Sequence, residues 1–281
     1  MLLIIEALLL ILAALGQDHR AAAAAVKGEI IPLDMAENSV DDQYMDCRGE
    51  MAKLVETKLL KNELNKSPDF KTAWGKGKEF AKGPKDDLNR NHLIAIHVYS
   101  AATVYSNFNS DTRSGKKNYI DKKYKWYSLH FLLTEAIQIL NKTQNQCNTT
   151  YRRTNVEFNT TVLNKEVRFG SFASSSLDHN VTKNFGTKSC FEIYTCEGAN
   201  VAKYSKLPRE KEVLIPPYEK FKVTAVKNRT GHPDLWCETV FVLNSTKTRS
   251  DLNCALFKKP SRILKNISKT ETKYYVLNKV L

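Results

Sequence analysis

The sequence predicts an α+β fold, with a helical N-terminal half packed on a mixed β-sandwich core. Up to about residue 140, apolar residues recur every three or four positions. After about Cys147 the texture changes to short, often alternating apolar runs bounded by Asn, Gly, Pro and Ser. No internal repeat and no long Pro- or Ser-rich linker divides the 281 residues, so one compact domain is expected.

The clearest helix is WYSLHFLLTEAIQIL, where Leu129, Leu132, Leu133, Ala136, Ile137 and Leu140 form one apolar stripe. MAKLVETKLLKNEL and HLIAIHVYSAATVY read as two more, the second buried around more of its circumference. Between them GKGKEFAKGPKDD and NSDTRSGKKNY, rich in Gly, Lys and Asp, read as exposed loops. Downstream, TTVLNKEVRF, SCFEIYTC, EVLIPP, KFKVTAV and WCETVFVL read as strands.

Hydrophobic residues make up 42% and aromatics 10%, enough for a real core and too many for a disordered chain. The net charge is +13. The lysines are spread out, without the aromatic interleaving of nucleic-acid binders, so no nucleic-acid partner is expected. The apolar stretch from Ala7 to Leu15 has the length of a signal-peptide core and is too short to span a bilayer, which predicts a signal peptide over 1–16. Eight N-x-[ST] sequons begin at Asn65, Asn141, Asn148, Asn159, Asn180, Asn228, Asn244 and Asn266, a density that points to secretion. Six cysteines, none in a C-x-x-C pair, favour disulfides over zinc. The end TKYYVLNKVL lacks the pattern of a lipid-anchor signal, so 258–281 reads as a tail and the protein as a secreted monomer without a stable membrane anchor.

No G-x-G-x-x-G or P-loop stretch occurs, and no G-x-S-x-G elbow surrounds Ser174–Ser176. His92 and His97 are five apart, which misses the spacing of a helical metal pair; with His130 they read as helix-surface or part-buried residues, and no metal is expected. In EKEVLIPP, Glu210 and Glu212 would share one face of a strand, roughly 6–7 Å apart. Alone, such a pair is most often a solvated strand end. Arg152, beside Tyr151 on a predicted strand, carries the planar fork best suited to clamping phosphate.

Arginine on a first strand, Ser-Ser-Ser on a second and Glu-x-Glu on a third resembles the R–S–E pattern of the vertebrate extracellular arginine-specific mono-ADP-ribosyltransferase family. LDMAENSVDDQYMDC, AIHVYSAATVYSNFN, YSLHFLLTEAIQIL, RFGSFASSSL, FEIYTC and EKEVLIPPYEKFKV also look like that family's segments, so the similarity covers about residues 30–257. It implies a single catalytic domain over 30–257 with a core of the ADP-ribosyltransferase type. It implies that NAD is the substrate, with no metal, and that ADP-ribose passes to arginines of acceptor proteins. Arg152, Ser174 and Glu212 match the catalytic positions, Glu210 the position that orients the acceptor guanidinium, and Tyr99, Arg152, Ser171, Ser205 and Phe185 the NAD contacts. The family's disulfides map to Cys47–Cys254 and Cys147–Cys196, leaving Cys190 and Cys237 as a third pair favoured by the even count. Two positions depart from the pattern: Arg153 replaces a glycine, where it could crowd the pocket or bring a second cation to the diphosphate, and Ser171 replaces a glutamine. These departures leave open a non-catalytic secreted binding glycoprotein on the same fold; an NAD glycohydrolase is a second alternative, against which the intact Glu210 argues.

Overall fold

The computed structural model describes residues 30–257, apart from 82, 84 and 102. The expected signal peptide, the C-terminal tail and the sequon at Asn266 lie outside the described residues. In chain order come β1 (Ile30–Ile31), α1 (Arg48–Leu54), a π turn (Val55–Leu59), α2 (Leu60–Lys66), α3 (Pro68–Phe80), α4 (Arg90–Ser100), α5 (Tyr105–Arg113), α6 (Lys116–Ile120) and α7 (Tyr127–Gln144). The strands follow: β2 (Asn148–Thr154), β3 (Glu157–Phe158), β4 (Glu166–Val167), β5 (Ala173–Ser176), β6 (Ser189–Thr195), β7 (Ala199–Asn200), β8 (Glu212–Ile215), β9 (Glu219–Asn228) and β10 (Thr239–Thr248). Eight of them form one mixed sheet in the order β4-β9-β10-β6-β2-β5-β8-β7, with β6 and β10 parallel and the other neighbours antiparallel.

Helices cover more of the N-terminal half than the pattern predicted. α3 runs through Gly75 and Gly77, inside a stretch expected to be a loop. Ser67 caps it, accepting from the Phe70 amide at 3.2 Å, and Pro68 starts it with a preset φ. Gly77 is there for close packing, because a Cβ would stand 2.8 Å from Ile94 Cγ2 on α4. The second expected loop is likewise helical, as α5 and α6. Gly115 joins them where a Cβ would meet the Asp111 carbonyl oxygen at 2.1 Å. The three helical histidines are all buried. His92 closes a capping box with Asn89 and meets Glu135 at 2.8 Å. His130 lies between the Tyr44 hydroxyl and the Val40 carbonyl, and burial pulls it down to about 4. The TTVLNKEVRF stretch gives only the two-residue β4 after a turn.

The helices and one face of the sheet enclose the main core, centred on Phe70, Trp74, Phe108, Phe131 and Phe172. Phe191, Phe221 and Phe241 lead a second core. The first and last parts of the described region meet through buried carboxylates. Asp41 accepts from Arg168 Nη1 at 2.7 Å and from the Leu252 amide at 3.0 Å; Asp42 accepts from Tyr119 at 2.7 Å and from the Cys254 amide at 2.9 Å. The Cys47–Cys254 disulfide fastens the same junction, and Cys147–Cys196 and Cys190–Cys237 are also bonded.

Candidate active site

β2, β5 and β8 are neighbours in the sheet, so Arg152, Ser174 and Glu212 arrive from three adjacent strands. β5 and β8 pair along four residues, Ser174 opposite Leu214 and Ser176 opposite Glu212. Side chains two apart on a strand share a face, which sets Ser174 diagonal to Glu212. By contrast β2 and β5 pair only at Tyr151 and Ser176 and then part. The Arg152 guanidinium crosses this gap, its Nη1 donating to the Ser174 carbonyl at 2.6 Å. Arg152, Ser174, Phe185, Glu210 and Glu212 all line one cavity there.

Glu212 is 2% exposed and is held from both sides. The Ser174 hydroxyl donates to Oε1 at 2.5 Å and the Ser205 hydroxyl to Oε2 at 3.3 Å. Ser205 is itself fixed by the Leu207 amide at 3.1 Å. A buried carboxylate with two aimed donors is pre-oriented, with lone pairs remaining for a ligand.

Glu210 is not on the strand, contrary to the expectation from E-x-E spacing. It closes a short 3-10 turn (Pro208–Glu210), Lys211 takes a left-handed conformation with φ +47°, and β8 begins at Glu212. The Ser176 hydroxyl donates to the Glu210 carbonyl at 2.7 Å, and the Leu177 amide donates to the Lys211 carbonyl at 3.1 Å. These bonds hold the kink against β5 and keep both glutamates on the cavity wall.

A second 3-10 turn (Val181–Phe185) forms another part of the wall and brings Phe185 to the cavity. Gly186 ends it at φ +124°, where a Cβ would lie 2.4 Å from the Thr154 carbonyl carbon. Arg153 is buried and turned onto this turn and the loop beyond. Its guanidinium sits 4.5 Å from the Trp236 ring centroid and donates to Thr182 Oγ1 at 3.1 Å and to the Trp236 carbonyl at 3.2 Å. Burial lowers its pKa.

Tyr99 lies behind the cavity rather than on its wall. It is 1% exposed, and its hydroxyl donates to the Phe172 carbonyl at 3.0 Å and accepts from Asn109 at 3.3 Å. Burial, and then the neighbouring Tyr105, push its ionisation well up, so it stays a neutral hydroxyl beside Ser174. Ser171 is buried and accepts from Arg113 Nη2 at 3.0 Å. That contact identifies a residue the sequence did not single out. Arg113, on α5, lines a larger adjoining cavity that shares Arg152 and Tyr105 with the first. Burial lowers the Arg113 pKa, and the nearby Arg152 charge adds to the shift. Among the described residues neither guanidinium is paired with a carboxylate. Two cations at the junction of two cavities have the charge and donor geometry to hold an anionic group. Among the described residues no group of three His, Cys, Asp or Glu side chains is placed to hold a metal ion.

Residues 33–241 match the family described as NAD:arginine ADP-ribosyltransferase. The chain is 36% identical over 235 residues to NAD(P)(+)–arginine ADP-ribosyltransferase 2 of Gallus gallus, covering 80% of this chain and 73% of that protein. It is 34% identical over 243 residues to T-cell ecto-ADP-ribosyltransferase 2 of Mus musculus, covering 82% and 79%. The crystal structure of the eucaryotic mono-ADP-ribosyltransferase ART2.2 superposes with a TM-score of 0.69 at 30% identity, over 81% of this chain and all of that one. A variant of that protein with one glutamate replaced, solved in complex with NAD, superposes with a TM-score of 0.67 at 27% identity, over the same shares.

Proposed function

The chain belongs to the NAD:arginine ADP-ribosyltransferase family, and on that premise we propose that it transfers ADP-ribose from NAD to arginine side chains of acceptor proteins and releases nicotinamide. The observation that carries the assignment is Glu212, held by Ser174 and Ser205 in a cavity whose wall also bears Glu210.

The bond between ribose C1′ and the nicotinamide nitrogen breaks with its electron pair going to the ring, so the cationic pyridinium leaves as neutral nicotinamide. Positive charge builds on the ribose as in glycoside cleavage. The Glu212 carboxylate, hydrogen-bonded to the 2′-hydroxyl, opposes that charge most strongly at the transition state. Phe185 stacks on the nicotinamide. Arg152 and Arg113 hold the diphosphate at the junction of the cavities, and the adenosine extends into the larger one. An acceptor guanidinium nitrogen forms the new bond to C1′ and gives up one proton, for which Glu210 is the acceptor group. Two carboxylate oxygens facing a five-donor fork also fix its direction of approach.

We place the domain outside the cell, as a secreted monomer. Three disulfides suit an oxidising compartment, and relatives are named as ecto and GPI-linked enzymes. Fractionation of expressing cells into medium and membranes tests the secreted form. Incubation with labelled NAD and agmatine tests the chemistry. Glu212→Gln is expected to lose transfer by about 10²–10³-fold or more, and full activity in that variant would refute the mechanism.

A further inference from the structure

The two 3-10 turns that wall the cavity pack against each other and carry cations outward. Lys183 is exposed in the middle of the turn that supplies Thr182 and Phe185. Arg209 is exposed beside Glu210 in the other. Lys206, also exposed, lies on the segment leading from Ser205 to that turn, where its amide donates to Ser100 Oγ at 2.8 Å. Neighbouring cations are matched: Lys211 with Asp178 at 2.8 Å, Lys188 with Glu238 at 2.8 Å, Lys203 with Asp86 at 3.6 Å. Lys183, Lys206 and Arg209 meet no carboxylate within 4.0 Å among the described residues. Lys183 adjoins the cavity-lining Thr182 and Arg209 adjoins the cavity-lining Glu210, with Lys206 three residues before Arg209, so two stretches bring these cations beside the cavity wall.

We propose that this rim selects the acceptor: the protein modifies arginines that have acidic residues close by, with Lys183, Lys206 and Arg209 meeting the acidic side chains while the arginine reaches Glu210. The inference rests on the assignment of arginine as acceptor. Glu210 alone would draw in any cationic side chain, whereas exposed cations on and beside the two turns repel segments of uniformly basic sequence. The rim therefore asks for a mixed-charge segment, selected by steering and like-charge repulsion at exposed cations.

The test uses three peptides with one central arginine each, flanked by glutamates, serines or lysines, and agmatine as an acceptor without flanks. Transfer is read by mass and by nicotinamide release. The glutamate peptide is expected to exceed the lysine peptide by about tenfold or more in kcat/KM at low salt, with the gap shrinking in 0.5 M salt (~4 Å screening length). The Lys183→Glu/Arg209→Glu double variant is expected to reverse the order, and the neutral Lys183→Gln/Arg209→Gln pair to flatten it. Equal rates on the three peptides, with agmatine still modified, overturn this proposal and leave the transferase assignment standing. Failure on agmatine as well as on every peptide overturns the assignment and this proposal with it. Equal peptide rates together with heparin-column retention lost in the double variant assign the rim to an anionic glycan, and likewise overturn it.

Discussion

Ser174→Ala is expected to damage catalysis more than Ser205→Ala, although both hydroxyls touch the same carboxylate. Ser174 Oγ lies 2.5 Å from Glu212 Oε1, whereas Ser205 Oγ lies 3.3 Å from Oε2. A hydrogen bond to a charged group contributes roughly 1.5–3 kcal/mol, and each ~1.4 kcal/mol is tenfold in rate. Loss of the short bond therefore lowers kcat/KM for transfer to agmatine by about 10- to 150-fold. The longer bond lies outside the usual O–H···O range of about 2.5–3.0 Å, so about 1 kcal/mol, or fivefold, is expected from Ser205→Ala. The double variant should lose less than the product of the two, because both act through one carboxylate. The assay is nicotinamide release at saturating agmatine, with NAD varied so that kcat separates from KM. Thermal melting of each variant controls for folding. A Ser174→Ala enzyme within twofold of wild type, or a ranking with Ser205→Ala worse, would show that Glu212 is not oriented as argued.

Glu210→Gln should abolish most transfer to agmatine while retaining measurable NAD hydrolysis, since Glu212 and its donors are untouched; parallel loss of both activities contradicts the division of labour between the two glutamates. Arg152→Lys should weaken both NAD use and stability, because a lysine keeps the charge and loses the fork that reaches the Ser174 carbonyl at 2.6 Å; kcat/KM for NAD and the melting temperature check it together. Glu63 is buried with both oxygens on the Ser128 amide, and desolvation raises it from 4.5 to about 8. The native state then holds a proton that the unfolded state has released between those values, so this contribution is full below about pH 4.5 and is lost as pH rises towards 8, at about 1.4 kcal/mol per unit at most. Denaturation midpoints at pH 5.5 and 8.5 should therefore differ less in Glu63→Gln than in wild type.

The long helix α7 and the strands β6, β8, β9 and β10 were legible in the sequence as apolar repeats or short apolar runs, β8 being buried at all four of its positions. The two misread loops share a cause. Gly77 and Gly115 look like chain breakers in sequence, yet one permits two helices to touch and the other joins α5 to α6 where no side chain fits. Spacing also failed at Glu210: the period-two rule holds only within a strand, and Lys211 leaves the extended region. The R–S–E set was legible as an order of residue types on successive strands, never as a contiguous motif. Arg113 carried no such signal. Its partner Ser171 is 58 residues away, and only the folded chain sets both beside Arg152.

The same arginine links fold and chemistry. A strand that parts from its neighbour leaves carbonyls without ladder partners, and a buried orphan carbonyl costs about 1–3 kcal/mol. β2 and β5 part after a single pair, and the cavity needs that parting. Arg152 supplies the missing donor to Ser174, so one of its nitrogens repairs the sheet where the site opens it. Its remaining donors stay free of carboxylate partners among the described residues and face the junction of the two cavities. Had the gap been closed by continued pairing, the backbone would be satisfied and there would be no cleft. Had it been left open without a cation, Ser174 would lose the support that fixes the hydroxyl on Glu212. Catalytic geometry and backbone satisfaction therefore impose the same residue at position 152, a long, planar, permanently charged donor.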